Sequence, residues 1–120
     1  MQPFPSAESP KMLPGDRIAQ IKLDPNSVQV LFESGLVLVV EESVEHVCVD
    51  QPSYVYRCEA WRDGPSLLHR LIQKSIVGID RQDWSLALDL DDRSKLTVYS
   101  DDINFESGHF EYPDGSVLVY

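Results

Sequence analysis

A repeat at a constant offset, running without a gap, constrains this chain more than any other feature. Ile18 matches Ile76 (76 − 18 = 58), and at the same offset Ile21 matches Ile79. Val28, Val30 and Phe32 match Leu86, Leu88 and Leu90, while Leu38 and Val40 match Leu96 and Val98. Ser27 with Ser85 and Glu33 with Asp91 keep the register. Any two β meanders share an alternating composition; seven apolar pairs separated by equal turn lengths argue for an internal duplication, over about residues 16–42 and 74–100. Each copy reads as a three-strand meander: a short apolar strand, a turn, an alternating strand, a tight turn and a third strand. The period is too long, and the copies too few, for a solenoid.

Within the first copy Val28, Val30 and Phe32 alternate and so share one sheet face. Ser34-Gly35 is a hairpin turn signal, and Leu36 to Val40 is apolar on both faces, the mark of a covered central strand. Val47 and Val49 open a further strand, and Tyr54-Val55-Tyr56 continues the β-rich character. After Asp63-Gly64-Pro65, Ser66 is an N-cap for a helix running to Ser75, with Leu67, Leu68, Leu71 and Ile72 on one stripe. His109 to Tyr112 and Ser116 to Tyr120 flank Pro113-Asp114-Gly115, a closing hairpin. The expected fold class is α+β: mainly antiparallel β from two duplicated meanders, one short helix between them and a C-terminal hairpin. Residues 1–15 hold four of the eight prolines and read as a flexible leader to a single domain over 16–120.

Acidic residues outnumber basic ones by 20 to 10, for a net charge of −10 on 120 residues. Such a field repels nucleic acid and anionic membranes and attracts cationic surfaces. Cys48 and Cys58 are too few for a secreted disulfide scaffold, though a bridge between them stays open. Met1 opens a segment with neither a basic nor an apolar signal region, and Leu36–Val40 is far too short to span a bilayer. The expected location is the cytoplasm.

Catalytic patterns fail on chemical grounds. The glycines are scattered and no Gly-Lys-Ser/Thr occurs, so there is no phosphate loop. Asp89-Leu90-Asp91-Asp92-Arg93-Ser94 begins like a calcium loop, but Arg93 stands where an oxygen ligand belongs and Ser94 where the turn glycine belongs. His109-Phe110-Glu111 has the H-x-E form of zinc deaminases without their cysteine pair. His46 and Cys48 share one side of a strand, two ligands short of a structural zinc site. Either cysteine with a histidine would make a nucleophile and base, but no spacing favours this over two small core residues. The reading is a non-enzyme with no cofactor and no metal.

Trp61 and Trp84 both suit core packing; Trp84, beside Asp83 at a turn, also suits a part-exposed partner anchor. Between Asp80 and Glu106 eight acidic residues face three basic ones (Arg81, Arg93, Lys95), a local balance of −5. Asp89 and Asp91 stand opposite the face of Leu88 and Leu90, Asp92 extends that row into the turn, and Asp101 and Asp102 follow the next strand. A solvated face kept for solubility accounts for such a row as well as a docking surface does. As a docking surface, the candidate binding residues are Asp89, Asp91, Asp92, Asp101, Asp102 and Trp84.

The two starts (Asp16 to Ile21 and Ser75 to Ile79), the acidic turn before a short β run (Asp91 to Val98) and the closing Pro-Asp-Gly-Ser-Val-Leu-Val hairpin resemble a family of small, largely uncharacterised bacterial proteins. Some members accompany polymorphic toxins as immunity proteins. The resemblance covers residues 16–120 loosely, as a pattern without a catalytic signature. Arg93 departs from it, standing where a glycine is expected, as Gly35 does in the first copy. What the resemblance implies is an immunity protein that binds and neutralises a cognate toxin domain; the acidic surface selects a basic one, and nucleic-acid-processing enzymes are the commonest proteins with a concentrated positive cleft. A general interaction or adaptor module, or a small-molecule-binding domain, is the alternative.

Overall fold

The computed structural model describes residues 15–49, 52–58, 67–100 and 108–120. Among these, ten strands form two five-stranded sheets: β1 (Ile18–Asp24), β2 (Ser27–Phe32), β3 (Val37–Val40), β4 (Ser43–Val47), β5 (Tyr54–Arg57), β6 (Ile76–Arg81), β7 (Ser85–Leu90), β8 (Lys95–Tyr99), β9 (Gly108–Glu111) and β10 (Val117–Val119). The first sheet has the order β1-β2-β3-β9-β10 and the second β5-β4-β8-β7-β6, with every described pairing antiparallel. The described residues are mainly antiparallel β with almost no helix.

The two three-strand units have one register. Ile18 pairs with Phe32 and Ile76 with Leu90; Val28 pairs with Val40 and Leu86 with Val98. Both first strands carry an irregularity at the same place, between Ile18 and Gln20 and between Ile76 and Gly78. The tight turns agree as well, with Gly35 and Arg93 both at positive φ (96° and 70°).

Strand partnership crosses between the units. β4 begins three residues after β3 ends, yet it pairs with β8; β9, which follows β8 in the chain, pairs with β3. The exchanged pairs β4–β5 and β9–β10 have matching registers at a different offset: Val44 faces Tyr56 and Phe110 faces Leu118, so His46 corresponds to Phe110 (110 − 46 = 64) and Tyr56 to Tyr120. Each sheet is therefore finished by the strands that follow the other meander.

Alternation puts the apolar set of both sheets into one core, including Ile18, Val28, Val30, Leu38, Ile76, Leu86, Leu88, Leu96, Phe110 and Tyr120. Tyr120 is fully buried, stacks at a tilt on Phe110 with ring centroids 5.5 Å apart, and donates its hydroxyl to the Val39 carbonyl at 3.1 Å.

The helix expected over 66–75 is not formed; Ser66, its expected cap, lies outside the described residues. One 3-10 turn spans Leu68–Leu71, Ile72 is already extended (φ −63°, ψ 134°) and Gln73 has positive φ. The stripe is split too: Leu68 and Leu71 are buried while Ile72 is 39% exposed. So short a segment gains too few helical hydrogen bonds to offset nucleation. Tertiary bonds win instead, since Gln73 donates to the Ile18 carbonyl at 2.7 Å just ahead of β6. The strand expected from Val47 begins earlier, at Ser43. The leader, apart from Gly15, lies outside the described residues.

Candidate functional site: the outer face and ends of the second sheet

On the outer face of the second sheet, alternation leaves Ser85, Ala87 and Asp89 of β7 beside Tyr99, Thr97 and Lys95 of β8, in that register. Glu45 of β4 lies beyond Thr97, and Asp80 of β6 beyond Ala87. Asp89 is held 3.5 Å from Lys95 Nζ, both side chains being more than two-fifths exposed. So exposed a pair contributes little and gives way easily to a competing cation.

Past β7, Asp91 is exposed in the turn and its amide donates to the Ser75 carbonyl at 3.0 Å. Asp92 has a structural task. Its Oδ1 accepts from the Ser94 amide at 3.0 Å and from the Ser94 hydroxyl, and its Oδ2 lies 3.5 Å from Lys74 Nζ. Partial burial pushes the Asp92 carboxyl up, but the Ser94 bonds and Lys74 outweigh it and hold the group below the usual aspartate range. In the first meander the equivalent tie runs from Ser34 to Asp16, with the Ser34 hydroxyl donating at 2.7 Å. Asp92 thus clamps turn to strand start, as Ser34 does. Asp101 and Asp102 lie outside the described residues.

Trp84 sits at the opposite end of β7 from Asp91 and Asp92, so the candidate residues do not form one cluster. At that end Gln82 donates its amide to the Ser85 carbonyl at 2.8 Å, and Ser100 donates to the Trp84 carbonyl at 2.9 Å. The indole stays 41% exposed and Tyr99, whose backbone is paired with Ser85, 37% exposed. Together with Arg81, Gln82, Asp83, Ser85 and Ser100 they line an open hollow of about 540 Å³. Tyr99 donates its hydroxyl to Glu45 Oε1 at 2.7 Å; that bond, helped by burial, raises the phenol's pKa. Arg81 is 3.6 Å from Asp83, and Gln82 donates to Asp80 at 3.2 Å. Sequence reasoning missed Tyr99; its signal was the alternation with Thr97 and Lys95, which places it outward at the strand end nearest the Trp84 turn.

Cys58 is 1% exposed, donates to the Val40 carbonyl at 3.2 Å, and burial pushes its thiol up to about 11. Cys48 and Cys58 are both free thiols, so the bridge left open by the sequence is not formed. His46 is buried on the inner face of β4, where desolvation, with Arg70 next, lowers its pKa; the Cys48 sulfur is 3.6 Å from Nδ1 and 3.8 Å from Nε2. His109 lies 3.0 Å from Glu111 and 3.9 Å from Glu41. Among the described residues no three His, Cys, Asp or Glu side chains gather as a metal-binding group. No helix among them is long and apolar enough to cross a membrane.

Comparison with protein-family models, with curated proteins and with solved structures finds no match for this chain.

Proposed function

We propose that this chain is an acidic protein-binding module whose partner is cationic. Its most specific form is a cytoplasmic immunity protein that binds and neutralises a basic, nucleic-acid-targeting toxin domain. One observation carries the binding reading: a protein of net charge −10 keeps Asp91 and Trp84 exposed, and the Asp89 side chain half-exposed, along β7 and its turns. Opposed charge raises the rate of encounter, and an exposed indole supplies an anchor once the surfaces meet. The immunity form rests on the family resemblance of the two starts, the acidic turn and the closing hairpin. The common register of the two meanders supports their origin by duplication, a single ancestral unit having been joined to a copy of itself.

The test is affinity capture with the tagged chain from its source cell at low and moderate salt, followed by titration of whatever is recovered. A single basic protein, bound at near-equal stoichiometry and weakened by salt, is the expected outcome. Recovery of no specific protein at either salt would remove the reading. A partner that lacks toxicity when expressed alone would leave the binding module and remove the immunity form.

A further inference from the structure

The repeat makes each half a control for the other. At the offset of 58 Trp84 corresponds to Asn26 and Tyr99 to Glu41, and the hairpins around them share one register. The first meander makes its β1–β2 turn and its β3 terminus with an amide and a carboxylate, both exposed. The aromatic rings of the second are therefore not required by the backbone, and both stand part-exposed at the surface.

The surroundings of the hollow select for charge. Asp83 lines it, Asp80 holds Gln82 from behind, and Glu45 accepts from the Tyr99 hydroxyl. Against these three carboxylates stands Arg81, already beside Asp83. A phenol donating to a carboxylate has a more electron-rich ring, which strengthens its attraction for a cation. An anionic or nucleotide guest would meet this excess of negative charge; a planar guanidinium would stack on the indole and find acceptors at its edge.

We infer that the Trp84–Tyr99 hollow is a receptor for one arginine side chain presented by the protein partner. The inference rests on the protein-binding reading and names the group that this end of the sheet recognises. The acidic turn at the other end of β7 then acts in steering and the hollow in anchoring.

The test uses the full chain labelled with ¹⁵N and titrated with N-acetyl-arginine methylamide, with the norleucine analogue as the apolar control. The indole N–H of Trp84 and the amides of Ser85 and Ser100 are expected to shift saturably with the arginine probe and not with norleucine. Trp84→Asn, which installs the first half's residue, should weaken the arginine probe about five- to tenfold while leaving the remaining amide spectrum in place. Equal shifts with norleucine, or no shift at Trp84 with arginine, would overturn the inference. A nona-lysine peptide separates this from the broader reading. Salt-sensitive shifts at Asp89 and Asp91 with no arginine response in the hollow would leave acidic docking and remove the receptor. An arginine response with no protein captured at either salt would leave a cation site and remove the protein-binding module.

Discussion

Ile18 and Ile76 are reciprocal partners across the chain: Ile18 donates its amide to the Lys74 carbonyl at 2.9 Å, and Ile76 donates to the Asp16 carbonyl at 2.8 Å. Moving each atom by 58 residues turns one bond into the other, so a local twofold relation passes between the strand starts, at the bridge of Arg17 with Ser75. Gly15 donating to Ile76 (2.6 Å) and Gln73 donating to Ile18 (2.7 Å) obey it as well. Each position in the paired strands of one meander thus has a counterpart that has solved the same backbone problem, often with a different side chain.

The tight turns give the first prediction. Arg93 holds φ 70° where Gly35 holds 96°. A side chain at positive φ costs roughly 1–2 kcal/mol, partly offset by the freedom glycine adds to the unfolded chain. Arg93→Gly is expected to stabilise by about 0.5–1 kcal/mol in urea unfolding. Gly35→Ala should destabilise by a similar amount or more, because its Cβ would also press on Pro113 Cγ at 3.2 Å. Destabilisation by Arg93→Gly would mean that the arginine makes a compensating contact.

The buried histidine gives the second. The folded state holds the His46 pKa below 6.5, chiefly by desolvation and then by Arg70 and Lys74, against Asp92. The unfolded chain therefore binds the proton more readily. The His46 contribution is intact above about pH 6.5 and is lost as pH falls from there toward the lowered folded value. His46→Phe copies Phe110, its counterpart in the other half. It should flatten that part of the acid limb in melting curves between about pH 5 and 7.5. An identical acid limb in both proteins would place the sensitivity at other groups.

A third prediction concerns the join of β3, β9 and the chain's last residue. A Cβ on Gly108 would overlap the Val39 carbonyl oxygen and the Tyr120 hydroxyl. Gly108→Ala is expected to cost at least about 3 kcal/mol, since backbone must move to admit it. Tyr120→Phe removes the hydroxyl that donates to Val39 without adding bulk, and should cost about 1–2 kcal/mol. The two variants compared in one denaturant series separate crowding from the lost hydrogen bond.

On the outer face, reversing Asp89 and Asp91 together to lysine is expected to weaken partner binding about tenfold or more and to lower its salt dependence. Asp92→Asn is expected to act mainly on stability, because Asp92 ties Ser94 and Lys74 into the turn. Unchanged affinity and salt slope in the double reversal would clear this strand of any part in docking.

The register of both meanders was legible in the sequence because it is local. Alternation assigns Val28, Val30 and Phe32 to one face and Leu86, Leu88 and Leu90 to the same face of the other half, and equal turn lengths place Leu38 and Leu96 opposite them. The exposure of Asp89, and the part-exposed Trp84 at its turn, follow from the same local rules. The 64-residue relation of His46 with Phe110 and Tyr56 with Tyr120 escaped notice because the β8-to-β9 connection is six residues longer than the β3-to-β4 connection (64 − 58 = 6). That shift breaks the offset on which the first relation was seen. Only the tertiary structure decided that β4 leaves its neighbour β3 for β8, while β9 returns to β3. Strand pairing depends on edges and buried faces distant in sequence, to which alternation is blind. The same distant contacts reduced the expected helix to the turn at Leu68–Leu71. Periodicity tells which face a residue takes; only the closing of the core tells which residues share it.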